Sequence, residues 1–329
     1  MNAAALTKQS ILAHARECGF DLAGFASTDR LDAKLPPADR PGTISNTLKT
    51  LVVVGKHIAN GVSSALDRRQ KQFSCGQLAQ VIETAGRDLG YWLERNGAMA
   101  ATLPALFVDF TTEMSAAGNT PAGQGSRLLR AAAVEAGLGT WGLNHAVLTP
   151  QFGPRVYFGG LLTNLALEYD APLAQELCLG LEGCGRCAAI CPEKAIPLRA
   201  PAGAAVAAVR GLDAAACLKS AHPFGPDAFV VHFKAAFAAA GEQRRALIDS
   251  AATRELWQGL AVLRQGAFTG CMECLQVCPV GDDAAAVQAS AHRVDDLPGG
   301  VRFVYEPGFV AVDPIGPQWR RHTNPGEAP

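Results

Sequence analysis

Over residues 6–17 apolar side chains recur at helical spacing, with Leu6, Ile11, Leu12 and Ala15 on one side and Cys18-Gly19-Phe20 as the stop. A strand is expected at 21–26. The β-branched run TLVVVGKHI at 50–58 is the clearest buried-strand signal in the chain. A long amphipathic helix over 74–97 places Leu78, Val81, Ile82, Ala85, Leu89 and Trp92 on one face and ends at Gly97. ATLPALFVDF, 101–110, reads as a further strand. After it come a Gly-rich loop, a helix over 126–136 and a Gly-punctuated turn. RVYFGGLLTNLALE, 155–168, predicts one or two strands leaving through Asp170-Ala171-Pro172.

Strands and helices mix without strict alternation, so the expected fold class is α+β, an α/β layered structure. From Cys178 the texture changes. Seven cysteines fall in two short runs separated by an Ala-rich segment, 200–265, expected to be helical, and beyond 280 the pattern loses periodicity. Three regions are therefore expected: 1–172, 173–285 carrying the cysteines, and an irregular tail at 286–329.

The 329 residues are 49% hydrophobic, enough for a substantial core, and the net charge of -1 supplies no global positive field for nucleic acid or an anionic membrane. No apolar run is long enough to span a bilayer, and the first residues lack the pattern of an export signal, so a cytoplasmic protein is expected. In that compartment clustered thiols point to metal rather than to disulfides.

The first run is Cys178, Cys184, Cys187 and Cys191-Pro192; the second is Cys271, Cys274 and Cys278-Pro279. The C-x2-C-x3-C-P spacing is that of cubane-binding proteins, in which the cysteine before proline ligates the other run's cluster. On that rule Cys178, Cys184, Cys187 and Cys278 hold one [4Fe-4S] cluster. Cys191, Cys271 and Cys274 hold a second, with the isolated Cys217 as fourth ligand. The x5 gap after Cys178 departs from the usual spacing. Zinc in the C-x2-C pairs and a single cluster are the competing readings. Cys18 and Cys75 are left as small apolar side chains.

With its lone middle cysteine and the segment AGLGTWGLNHAVLTPQFGPRVYFGGLLTNLAL at 136–167, the chain resembles the cobalamin-dependent iron-sulfur reductases, which include epoxyqueuosine reductases and reductive dehalogenases. The resemblance implies a nitroreductase-like corrinoid-binding domain holding base-off cobalamin, joined to a bacterial ferredoxin-like module with two [4Fe-4S] clusters. It implies a reductase of a small organic substrate fed by an external low-potential donor of the ferredoxin or flavodoxin type. Val280 stands where epoxyqueuosine reductases carry tryptophan. Leu143 stands where a basic residue is usual, and Gly123-Gln124-Gly125 where those enzymes place a carboxylate. The stretch TPQFGPRVYFGG is closer to the dehalogenase branch, so reductive cleavage of that kind is the expected activity, and the balanced charge and lack of an export signal point away from a nucleic-acid or membrane partner. Epoxyqueuosine reduction is the first alternative, and an electron-transfer or corrinoid-activating protein without its own substrate is the second.

Gly137, Gly139, Gly142, Asn144, His145 and Arg155 are the candidate corrinoid contacts, the glycines by letting backbone pass close to the macrocycle. GLGTWG has dinucleotide-loop spacing but follows a helix rather than a strand. Tyr157 and His145 are the candidate proton donors, with Tyr91 a further tyrosine of the same kind. Arg127, Arg130 and Arg155 are candidates for pairing with an anion.

Overall fold

The computed structural model describes residues 6–63, 65, 68–105, 124–221, 226–262, 271–291 and 300–315. Helix α1, Lys8–Glu17, starts in a capping box: Thr7 accepts from Ser10 N and the Ser10 hydroxyl returns to the cap. Then follow β1, Leu22–Ser27, α2, Thr28–Lys34, β2, Thr50–His57, α3, Asn60–Ser63, α4, Arg68–Arg95, and β3, Ala100–Leu103. Next come α5, Arg127–Glu135, a small ribbon of β4, Thr140–Trp141, and β5, Val147–Leu148, and finally β6, Val156–Thr163. The strand expected at 101–110 thus begins as β3. Its continuation past Ala105, and Gly123, lie outside the described residues.

The sheet order is β1-β2-β6-β3, antiparallel at every junction. Side chains alternate across it, so β2 sends Val52 and Val54 to one face and Leu51 and Val53 to the other. On the first face α1 and α4 pack against Phe25, Tyr157 and Leu161. On the second, α2 and α5 cover Ala26, Phe158 and Leu162. Gly159 lets α4 approach: a Cβ there would stand 2.2 Å from Ile82 Cγ2. The long helix buries Ile82 and Leu89 as its periodicity predicts, whereas Val81 is 53% exposed and leaves the predicted face.

The second half is built from short pieces: α6, Gly180–Gly183, α7, Arg186–Ile190, β7, Arg199–Pro201, α8, Val206–Val209, and α9, Ala214–Ala221. The Ala-rich insert continues as α10, Pro226–Ala238, α11, Gly241–Ile248, and α12, Ala251–Val262, helical as expected. After it stand α13, Glu273–Gln276, α14, Ala284–Ala291, β8, Gly300–Glu306, and β9, Phe309–Ile315. The expectation of an irregular tail is corrected here. β8 and β9 form a hairpin across Pro307-Gly308, and β9 pairs with β7. Val310 and Val312 of this sheet pack with Leu143, Leu181, Ala188 and Ile196 in a core that the cysteine residues border.

The expected boundary at 172 and 173 is crossed by buried contacts. Met272 and Leu275 of the second cysteine run are fully buried in the α1/α4 core, and Gln276 donates to Ser63 O at 3.1 Å. Backbone meets backbone at Gly153, where a Cβ would fall 1.9 Å from Val280 O. The described residues contain no helix long and apolar enough to cross a membrane.

Candidate functional site

The tight turns of α6 and α7 present the first cysteine run. Gly185 takes φ 60° between them, and a Cβ there would meet Val312 Cγ1 at 2.7 Å, so only glycine lets the turn sit on β9. Cys178, Cys184, Cys187 and Cys278 line one cavity together with Leu143 and Asn144. The thiols acting on Cys187 are those of Cys278, Cys178 and Cys184. Burial first, and these neighbours next, hold the Cys187 thiol well above its usual range. The thiols of Cys271, Cys217, Cys187 and Cys191 act in the same way on Cys274, which burial also raises well above its usual range. Cys217 in turn lies by Cys271 and Cys191. The eight cysteines therefore gather as two adjacent sets of four, with Cys187 and Cys274 where the sets meet.

Buried neutral thiols crowded in this way gain by deprotonating onto a cationic metal group, and soft thiolates suit iron-sulfur clusters or zinc. Among the described residues no three His, Cys, Asp or Glu side chains converge as a single ion requires. Backbone donors point at the sulfurs: Leu143 N reaches Cys178 Sγ at 3.4 Å and Ala195 N reaches Cys191 Sγ at 3.3 Å. N–H groups of Arg186, Ala188 and Val280 bond the thiols of Cys184, Cys187 and Cys278. Such bonds favour the thiolate form. The two remaining cysteines behave as expected of apolar packing residues. Cys75 is fully buried, which pushes its thiol up to about 12, and Cys18 packs at the edge of the same core.

The Gly-punctuated turn lies against this thiol cluster, and it corrects several expectations. A Cβ on Gly137 would fall 2.3 Å from Ala171 O, and one on Gly139 would fall 2.2 Å from Leu148 O. On Gly142 it would fall 2.7 Å from Asn144 Oδ1. On the side where a Cβ would stand, the room these glycines leave is taken up by the chain itself. Asn144, expected at the corrinoid, is buried; its amide donates to Cys274 O at 3.4 Å and its oxygen accepts from Ala146 N at 3.2 Å.

Arg155, also expected at the corrinoid, turns its guanidinium to the second cysteine run. It is buried, and its five N–H donors serve a clamp on the second cysteine run. Nε and Nη2 hold Asp283 at 2.9 and 2.6 Å, Nη1 reaches Leu275 O and Cys278 O at 2.9 and 3.1 Å, and Nη2 also reaches Val280 O at 2.7 Å. The guanidinium thus ties β6 to the residues around Cys278. Asp283 was missed in the sequence because nothing local announces a partner 128 positions away.

The expected proton donors are poorly suited to that task. Tyr157 is buried in the α1/α4 core, its hydroxyl donates to Ala105 O at 3.4 Å, and burial holds the phenol well above its ordinary value. His145 adopts φ 62° and stacks on Trp141 at 5.2 Å. Burial, then the cations Arg130, Arg210 and Arg127, lower its imidazole from 6.5 to about 4, so near neutrality it is the neutral imidazole rather than the more acidic imidazolium. Tyr91 lies 55% exposed on α4. Arg127 pairs with Asp39 at 2.9 Å. Arg130 is 0% exposed and donates from Nη1 to His145 O at 2.5 Å.

No family model matches the chain. A 67-residue segment is 37% identical to an epoxyqueuosine reductase of Bacillus cereus, covering 20% of this chain and 17% of the relative. A 64-residue segment is 44% identical to a tetrachloroethene reductive dehalogenase of Sulfurospirillum multivorans, covering 20% of this chain and 13% of the relative. An epoxyqueuosine reductase crystal structure with an epoxyqueuosine-modified tRNA stem loop aligns over 57% of this chain and 52% of that one, at TM-score 0.39 and 18% identity. A reductive dehalogenase structure aligns over 60% of this chain and 27% of that one, at TM-score 0.41 and 17% identity. A segment of the chain is thus similar to both reductase groups, and it spans less than a fifth of the curated relatives it matches.

Proposed function

We propose that this protein is an oxidoreductase using two [4Fe-4S] clusters and cobalamin to reduce a small organic substrate by reductive cleavage, with electrons from an external low-potential ferredoxin- or flavodoxin-type donor. The observation that carries the reading is the gathering of eight cysteines, from two distant runs and Cys217, into two adjoining sets of four. Cys178, Cys184, Cys187 and Cys278 hold the first cluster; Cys191, Cys217, Cys271 and Cys274 hold the second, in a ferredoxin-like arrangement. When bound, each cluster passes one electron at a time at a potential set by charge, burial and hydrogen bonds to sulfur. The chain's share is to aim the N–H groups of Leu143, Ala195 and Val280 at the thiolates. Arg155 adds positive charge beside Cys278 while fixing its backbone.

The cobalamin half rests on the sequence shared with the two reductase groups. The residues first expected to touch the corrinoid do not fit that task, since Gly137, Gly139, Asn144 and Arg155 are spent on the chain's own contacts. No step is assigned to it here.

Anaerobic reconstitution tests both halves by metal content. The wild type should bind about eight irons per chain, and Cys217→Ala and Cys278→Ala about four each. Retention of about eight irons by either variant, or zinc in place of iron, overturns the ligand sets, and failure to take up cobalamin overturns the corrinoid half.

Epoxyqueuosine reduction is the second reading, favoured by relatives of that name in both Bacillus cereus and Listeria monocytogenes. The exclusion of nucleic acid from charge alone is not kept, because a balanced net charge leaves room for a local basic surface. Complementation of a queuosine-deficient strain supports this reading if queuosine returns and removes it if it does not.

A further inference from the structure

Helix α5 buries a guanidinium that the chain only half uses. Nη1 of Arg130 donates to His145 O at 2.5 Å, while Nε and Nη2 have no hydrogen-bond partner among the described residues. Nε–H and the outward Nη2–H are the two parallel donors that grip both oxygens of a carboxylate or phosphate. The protein itself shows that use: the same two atoms of Arg155 hold both oxygens of Asp283. A buried cation with this edge unpaired is costly, and a ligand oxyanion relieves the cost.

The surroundings suit an anion. Trp141 carries Arg130 at 5.2 Å and Arg210 at 5.1 Å from its ring centroid, and the His145 ring stacks on it. Asp39, which acts on Arg130, is itself ion-paired with Arg127 at 2.9 Å, and Arg127 and Arg210 add positive charge beside Arg130. Burial lowers Arg130 to about 9, which leaves it protonated at neutral pH. Trp141 and His145, beside the buried guanidinium, are themselves half-buried.

We propose that Arg130, with Arg210 and the Trp141–His145 pair, forms a binding site for an oxyanion, the carboxylate or phosphate group of a small organic molecule. The site stands on the arginine's geometry. That the oxyanion belongs to the reduced substrate rests on the reductase reading above, whose failure would appear in iron content and not in anion binding.

Calorimetric titration of the full chain, reconstituted with iron and sulfide, with sodium benzoate and with inorganic phosphate at constant ionic strength tests it. At least one probe should bind saturably, one per chain. Arg130→Lys, which keeps the charge but loses the two-pronged edge, should weaken that binding about tenfold or more, and Arg210→Gln about threefold. Tighter benzoate assigns an organic acid, and tighter phosphate assigns a phosphate ester. Absence of saturable binding to the wild type, or binding unchanged by Arg130→Lys, overturns the site. Should Arg130→Lys not fold, unchanged affinity in Arg210→Gln overturns it equally.

Discussion

Two fully buried arginines, Arg155 on the lead into β6 and Arg130 on α5, make opposite use of the same side chain. The first is saturated: a carboxylate and three carbonyls take all its donors, and the reward is a fixed junction between the sheet and Cys278. The second keeps its charge among other cations with its two-pronged edge unpaired. Burial and residue type are equal, so neither distinguishes a structural arginine from a binding one; the state of the Nε and Nη2 donors does.

The comparison breaks most readily at Arg155. Arg155→Met strands the half-buried Asp283 and three carbonyls, and should destabilise by about 3–5 kcal/mol in urea unfolding. A loss below about 1 kcal/mol would deny the clamp. Asp283→Asn keeps the shape and one acceptor and should cost less, about 1–3 kcal/mol by the same measurement. Its iron content should fall only if the clamp also holds Cys278 for cluster assembly. Arg130→Met is the contrasting case. Without anion it removes an incompletely paired buried cation and should change stability by no more than about 1 kcal/mol, in either direction. A cost as large as that at Arg155 would make the two arginines alike.

The smallest effect lies in the acid limb. His145 has an ordinary value of 6.5 and titrates in the folded chain at about 4. Below 6.5 the unfolded chain takes up a proton that the folded chain refuses until about 4, so stability is lost as pH falls through that window. His145→Asn, which tolerates the positive φ, should flatten this limb. Arg130→Met should move the imidazole up toward its ordinary value by removing a nearby cation, as an NMR titration would show, while Arg155→Met should leave it unmoved.

Much of the first domain was legible in the sequence. The runs at 50–58 and 155–168, the stop at Cys18-Gly19-Phe20 and the Gly97 stop are local signals, and β2, β6 and the ends of α1 and α4 lie where they point, while α4 starts at Arg68, ahead of the expected 74. The tail hairpin was hidden because Gly300, Pro307 and Pro314 punctuate its strands and mask their alternation. Val81 was misplaced because a long helix meets a sheet over a narrower stripe than its apolar residues mark out. The glycines at 137, 139 and 142 were visible as close-approach positions, but the pattern does not say what approaches. It is the carbonyls of Ala171 and Leu148 and the side chain of Asn144.

What the sequence determined by itself is everything that nearest neighbours along the chain decide: the periodicity of each helix and strand, and the thiol spacing with a proline after the last cysteine of each run. Only the tertiary structure decided that Cys278 stands with Cys187, that Asp283 saturates Arg155, and that Arg130 keeps two donors unpaired. Such pairings join residues as much as 128 positions apart. They are selected by the burial of a charge or a thiol in a shared core, a condition that exists only once the sheet, the cysteine turns and α13 have come together.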